Sequence, residues 1–191
     1  MKNKYILLII IIILGVAIAG YLWINSLADK INDEPGEEVC QDCSVESFED
    51  CIANGNAIME SYPRQCRTAD GRTFTENIGN ELEKMDLIRI DYPRPNQEIE
   101  NPLIVQGEAR GYWFFEASFP IVLTDWDGLI IAQGIAQAKE EWMTEDFVQF
   151  EAVLEFEKPE YGNKGNLILQ KDNPSGLPEN EDALEIPINF K

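Results

Sequence analysis

The sequence predicts a mainly β chain. A β-sandwich fills its C-terminal half, preceded by a small disulfide-stapled module and, at the N-terminus, by a transmembrane helix. Three observations carry this. From Leu87 onward, short apolar-alternating runs are separated by Gly, Pro, Asn and Asp at regular spacing, as in an all-β domain. All four cysteines fall between Cys40 and Cys66. Tyr5 to Ile24 contains no charged residue, and a helix of about twenty residues covers roughly 30 Å, the hydrocarbon thickness of a bilayer.

Taken in order, residues 1–4 form a short basic head with Lys2 and Lys4. The span over 5–24 follows, and the positive-inside rule places the head in the cytoplasm and the remainder outside. Tyr21 and Trp23 fall at the outer interface, where amphipathic rings settle. A cleaved signal peptide is the competing reading, since Ala17-Ile18-Ala19 fits a small-x-small site. The apolar run continues past that site, which favours an uncleaved anchor. Residues 25–39 are an acidic linker broken by Pro35-Gly36, without the apolar side chains to form a core.

The segment 40–77 holds Cys40, Cys43, Cys51 and Cys66 in a C-x2-C-x7-C-x14-C pattern. Outside the cytoplasm an even count in a short segment reads as disulfides. Of the three pairings, Cys51–Cys66 with Cys40–Cys43 is preferred, because the stretch between Cys51 and Cys66 reads as one closed unit. A redox pair at Cys40/Cys43 and a four-thiolate zinc site are the functional alternatives; the former lacks a βαβ context and the latter a second tight pair. Asp70-Gly71 reads as a turn. Residues 78–85 are a charged connector of one or two helical turns.

Within 86–191 the strand candidates are Leu87–Asp91, Leu103–Gly107, the aromatic run Ala109–Leu123, Leu129–Ala138, Phe147–Phe156, Leu167–Leu169 and Leu184–Phe190. The alternation is clearest over Phe147–Phe156. Val148, Phe150, Ala152, Leu154 and Phe156 lie on one side there, and Gln149, Glu151 and Glu155 on the other. Ala109–Leu123 is too long for one ordinary strand. It is expected to be a bent or edge strand that sends Trp113, Phe115, Phe119, Ile121 and Leu123 inward, with Pro120 where a ladder bond is missing. Pro187 is likewise expected at an edge. About seven short strands with such turn spacing imply a two-sheet sandwich of immunoglobulin type, here without an inter-sheet disulfide. Its core is expected to rest on Trp113, Phe115, Phe119, Phe150 and Phe156.

Charge and composition exclude several functions. The chain has 15 basic and 35 acidic residues, no histidine and a formal charge of −20. Lys2 and Lys4 are the only charged residues before Asp29, so the part from Asp29 onward carries 13 basic against 35 acidic residues. Such a surface repels phosphate backbones, so no nucleic-acid partner is expected. Without histidine there is no Ser-His-Asp or Cys-His catalysis and no His-ligated metal. Carboxylate pairs such as Glu140-Glu141 or Glu155 with Glu157 leave glycoside chemistry formally open. The expectation is a non-enzyme.

Several separated motifs carry a resemblance. They are Ile90 with Pro93; Asn101-Pro102-Leu103 and Val105 with Gly107-x-Ala109-Arg110-Gly111; Trp113 to Ala117 with Phe119-Pro120; and Asp125-x-Asp127-Gly128. Trp142-Met143, Phe147, Phe150-Glu151-Ala152 and Glu185 to Ile188 complete the set. In this order they resemble the immunoglobulin-like domain of bacterial spore germination proteins, of the GerM-associated type, over about residues 86–191. The resemblance implies an extracytoplasmic β-sandwich of envelope and germination proteins, here without a GerM domain. The module from Phe48 to Phe74 resembles a short extracytoplasmic cysteine module of envelope proteins. It also looks faintly like the middle of a Kazal-type protease inhibitor, with one extra residue before Asp70-Gly71 and no cysteine after Phe74.

Together these readings imply a single-pass protein of the cell membrane with its C-terminal domains outside. It would bind or scaffold an envelope protein or cell-wall polymer. Arg110, Tyr112, Trp126 and Trp142 are the ligand-contact candidates, since Arg, Tyr and Trp dominate binding hot spots. The alternative is a surface protease inhibitor that presents the Tyr62–Phe74 loop, with Arg64-Gln65 as the exposed bond. No cofactor is expected, with calcium at the acidic loop Asp172–Asp182 or at Asp125–Gly128 as the minor alternative. Setting Gly128 at the sharp turn of a calcium loop puts Gly134 where its bidentate Glu belongs.

Overall fold

The computed structural model describes residues 45–191. The expected membrane span, the acidic linker and the Cys40–Cys43 pair lie outside them. Among the described residues no helix is long and apolar enough to cross a membrane.

Helix α1, Phe48–Ala53, starts at Ser47, whose hydroxyl accepts the Asp50 amide at 3.0 Å. Glu49 and Asp50 in its first turn suit the positive end of the backbone dipoles. Phe48 and Cys51, three residues apart, form its buried face. Strands β1 (Ala57–Met59), β2 (Gln65–Arg67) and β3 (Thr73–Thr75) make an antiparallel sheet with β2 central. Cys51 and Cys66 are disulfide-bonded, which ties α1 to β2 over a small core of Val45, Phe48, Cys51 and Cys66. The Cys51–Cys66 bond of the preferred pairing is therefore present. Because both sulfurs are consumed, a four-thiolate zinc site is excluded. Gly71, with φ of 92°, makes the β2–β3 turn where Asp70-Gly71 was read.

The connector contains α2, Glu81–Lys84. Strands β4 (Ile88–Tyr92), β5 (Glu98–Ile99), β6 (Leu103–Arg110), β7 (Ser118–Asp125), β8 (Ile130–Ala138), β9 (Phe147–Leu154), β10 (Lys164–Gln170) and β11 (Ala183–Phe190) follow. They hydrogen-bond in the order β4-β6-β9-β8-β7-β10-β11-β5. The β8–β9 link is only two residue pairs, Gln137↔Glu151 and Ala138↔Phe150. The sheet turns there into two layers. Phe119 of β7 packs edge-on against Phe150 of β9 at 4.9 Å and against Phe114 at 5.2 Å. One core takes Ile88, Ile90, Val105, Phe150 and Leu154 from one layer and Phe119, Ile121, Leu123, Leu167, Leu169, Ile186 and Ile188 from the other.

The aromatic run departs from its expected form. It is no single bent strand. Gly111–Trp113 is a 3-10 turn after β6, and Glu116 and Ala117 have φ of 51° and 63° before β7 begins. These breaks swap the inward parity: Phe114 is buried, and Phe115 is 42% exposed rather than in the core. Parity is restored from Phe119 on.

Both prolines sit where the ladder spares a donor. The Ala138 amide bonds the Ala117 carbonyl, so by alternation Pro120↔Ile135 is a non-hydrogen-bonded pair. The Pro120 nitrogen then faces the β10 side, where pairing starts only at Ile121. Pro187 faces the β5 side in the same way, and β5 covers only Asn189 and Phe190. β5 itself, two residues parallel to β11, has no counterpart in the sequence reading.

Candidate functional site

The register of β6 and β9 decides which candidate residues meet. Arg110 stands opposite Phe147, at the end of β9 remote from Leu154. The Arg110 guanidinium lies 4.0 Å from the Phe147 ring centroid, as does that of Arg89, so the ring is held between two cations. Arg110 also donates from Nε to the Asp86 carbonyl at 3.0 Å and from Nη1 to the Glu145 carbonyl at 3.2 Å.

Immediately after it the 3-10 turn buries Gly111 and Trp113 and leaves Tyr112 between them half exposed. Gly111 has to be glycine, because a Cβ there would stand 2.0 Å from the Thr144 carbonyl and 2.3 Å from that of Trp142. The β8–β9 loop is thereby pressed onto the turn. That loop is shaped by the Met143 amide on Glu141 Oε1 at 3.0 Å and the Asp146 amide on Thr144 Oγ1 at 3.2 Å. Trp142 is half-buried against the core, and Met143 projects 74% exposed. The result is a shallow cleft of about 330 Å³ lined by Gly111, Tyr112, Trp142, Met143, Thr144 and Glu145.

Trp126 is elsewhere. It sits in the β7–β8 turn, 61% exposed, against Gly162, where a Cβ would come within 2.7 Å of its Cδ1. Gly162 belongs to the segment after Leu154, the far end of β9, and a strand of eight residues spans about 26 Å. Arg110, Tyr112 and Trp142 therefore share one end of the sandwich and Trp126 marks the other. Met143 and the Arg89–Phe147–Arg110 stack join the first group unforeseen; neither leaves a local pattern in the sequence.

The expected inhibitory bond is not displayed as a loop. Gln65 begins the central strand β2 and pairs with Met59 on one side and Thr75 on the other. Arg64 clasps Glu76 through Nε at 2.8 Å and Nη2 at 2.6 Å. That pair holds the Glu76 carboxyl below its ordinary value. Tyr62 donates to Glu81 and accepts from Arg94 at 2.8 Å, while Arg94 bonds Glu81 at 2.6 Å. Burial pushes the Glu81 carboxyl up in spite of that cation. Asn80 exchanges three hydrogen bonds with Ala183 and Glu185 of β11, at 2.8 to 3.1 Å. The module is seated on the sandwich through these residues.

Several oxygens of the calcium candidates are engaged by protein groups. Asp125 Oδ1 accepts the amides of Asp127 at 2.9 Å and Leu129 at 2.8 Å, which makes the hairpin turn. In the Asp172–Asp182 loop, Asp182 pairs with Lys84 at 2.5 Å, and Asn173 and Ser175 bond within the loop. Among the described residues no three His, Cys, Asp or Glu side chains converge as a metal site. Glu140, Glu141, Glu155 and Glu157 are all exposed.

The fold is that of a two-layered, mostly antiparallel domain with β4, β6 and β9 on one side and β8, β7, β10, β11 and the short parallel β5 on the other; β4, β6, β9 against β7, β10, β11 is the arrangement of A, B, E against C, F, G in immunoglobulin domains. Residues 87–176 match the family model of the immunoglobulin-like domain of bacterial spore germination. β11 lies beyond the matched segment and completes the sheet. No curated protein and no solved structure matches the chain.

Proposed function

We propose that this chain is a membrane-anchored, extracytoplasmic binding or scaffolding protein of the cell envelope. The N-terminal apolar run would hold it in the cell membrane, and the immunoglobulin-like domain would take the partner, an envelope protein or a wall polymer. The observation that carries the binding reading is the aromatic end of the sandwich. Tyr112, Trp142 and Met143 expose apolar surface there, on a backbone pinned by Gly111 and the Arg110–Phe147 stack. Partly exposed Tyr, Trp and Met beside Arg are what interface centres are made of. In a chain with charge −20 this is a mainly apolar opening, with Glu145 the single charged residue of its lining. The action is binding rather than catalysis, and the match over residues 87–176 supports a germination-associated setting.

The test is a cross-linking capture with the full chain in mild detergent, against solubilised envelope and against purified wall polymer. A saturable partner lost in Tyr112→Ala and Trp142→Ala but kept in Trp126→Ala supports the reading and places its surface. Capture unaffected by all three overturns it. The inhibitor alternative has no such support, because its bond runs straight into the central strand, where Gln65 is paired on both sides, and Arg64 is clasped by Glu76.

A further inference from the structure

We infer that the free edge of β8 is a docking strand for an extended segment of a partner protein whose apolar residues are flanked by basic ones. This surface is separate from the aromatic end, and the inference does not rest on it.

The first observation is an unfinished ladder. The Ala138 amide bonds the Ala117 carbonyl toward β7, and the Lys139 amide bonds the Gln149 carbonyl toward β9. Alternation then assigns the even residues of β8 to β7 and the odd ones to the β9 side. On that side pairing stops after Gln137↔Glu151. Gln133 and Ile135 thus turn their backbone N–H and C=O to an edge that no strand of the described residues covers. Leu154 closes the layer beneath them, since a Cβ on Gly134 would stand 2.6 Å from Leu154 Cδ2. The edge is open and dry on one side only.

The second observation is what the edge lacks. Exposed edge strands are ordinarily protected by Lys, Pro, inward charges or bulges, because unpaired backbone invites another strand. β8 reads IIAQGIAQA, nine residues with neither charge nor proline, in a chain where 26% of residues are charged. Ile130 and Ile135 are 52% and 58% exposed on it, with Val153 of β9 at 59% alongside. A strand added here gains main-chain hydrogen bonds and sets alternate side chains on Ile135 and Val153.

Charge selects the occupant. Asp125 and Asp127 border the start of β8, Glu140 and Glu141 its end, and Glu155 and Glu157 the segment after β9. Of the nearby cations, Lys139 is paired with Glu151 at 2.8 Å and Lys164, beside the partner of Asp125, lies 3.9 Å from Glu49, which leaves Lys158 and the loosely held Lys164 against these six acids. A second copy added antiparallel would bring the Asp125–Asp127 end of one molecule onto the Glu140–Glu141 end of the other. A segment carrying Lys or Arg at both ends meets acid at both.

The experiment uses the full chain in mild detergent and a synthetic peptide of alternating valine and threonine with paired lysines at each end. Saturable binding is expected, with slowed hydrogen exchange at the Gln133 and Ile135 amides. Gln133→Pro removes an outward donor without touching the β7 ladder. Ile135→Lys adds the missing guard charge on an exposed side chain. Each is expected to weaken binding by about tenfold with the unfolding midpoint little changed. A peptide with glutamates in place of the lysines is expected not to bind. Absence of binding, equal binding of the acidic peptide, or binding indifferent to both variants overturns the inference. Concentration-dependent dimerisation abolished by Ile135→Lys also overturns it, since the edge would then belong to a second copy.

Discussion

Replacing Gly79 by alanine isolates how the cysteine module is seated on the sandwich. Gly79 has φ of 69°, and a Cβ on it would lie 1.9 Å from the Glu185 carbonyl oxygen and 3.1 Å from the Ile186 Cα. A positive φ alone costs an alanine about 1 to 2 kcal/mol. The contact has no flexible side chain to displace, so the chain has to lift from β11. The three Asn80 bonds to Ala183 and Glu185 lie on the next residue and are lost with it, at about 1 kcal/mol each. The expected total is about 4 to 5 kcal/mol. Gly128→Ala is the control, because its φ is 82° but nothing lies within 4 Å of the added carbon; only about 1 to 2 kcal/mol is expected there. Urea unfolding of the full chain in detergent, followed by tryptophan fluorescence and by proteolysis at the connector, measures both. Equal losses for the two variants would refute the claim that close backbone approach, rather than φ, fixes Gly79.

Three further outcomes are expected. Cys51→Ala with Cys66→Ala should destabilise the module by about 3 kcal/mol, from a loop closed over a separation of 15 residues, while tryptophan fluorescence remains native. Glu76 is held below its ordinary value of 4.5 by Arg64. Its contribution is therefore complete above that value and is lost as pH falls through the lowered one, so Glu76→Gln should flatten the acid limb of a stability–pH profile. Trp113 is fully buried and its indole N–H has no partner among the described residues; Trp113→Phe should cost under about 2 kcal/mol, and Trp113→Ala about 3 to 5, by thermal unfolding.

What was legible in the sequence follows from how local each signal is. Val148 to Leu154 could be read because period two is a property of consecutive residues, and every expected inward residue of β9 is buried. The Cys51–Cys66 pair and the Asp70-Gly71 turn are similarly short-range. Phe115 departs from its period-two expectation because a 3-10 turn and two positive-φ residues between Gly111 and Ala117 shift the side-chain parity by one. Neither Glu116 nor Ala117 announces that conformation. β5 leaves no trace in the sequence because two residues carry no period, and it pairs only with Asn189 and Phe190 of β11. The candidate site shows the same division. Arg110, Tyr112 and Trp142 were identifiable by residue type, but that they share an end, and that Trp126 does not, depends on cross-strand register.

The bond between α1 and β2 also sets how a pull would travel through the molecule. With tension applied from residue 45 toward the sandwich, the load crosses from Cys51 to Cys66 through sulfur, and residues 52–65 bear none of it. β1 is thus slack cable. Reduction would throw that segment into the line of force and release roughly 45 Å of extra length. The sandwich would then move away from residue 45 by more than its own strands are long.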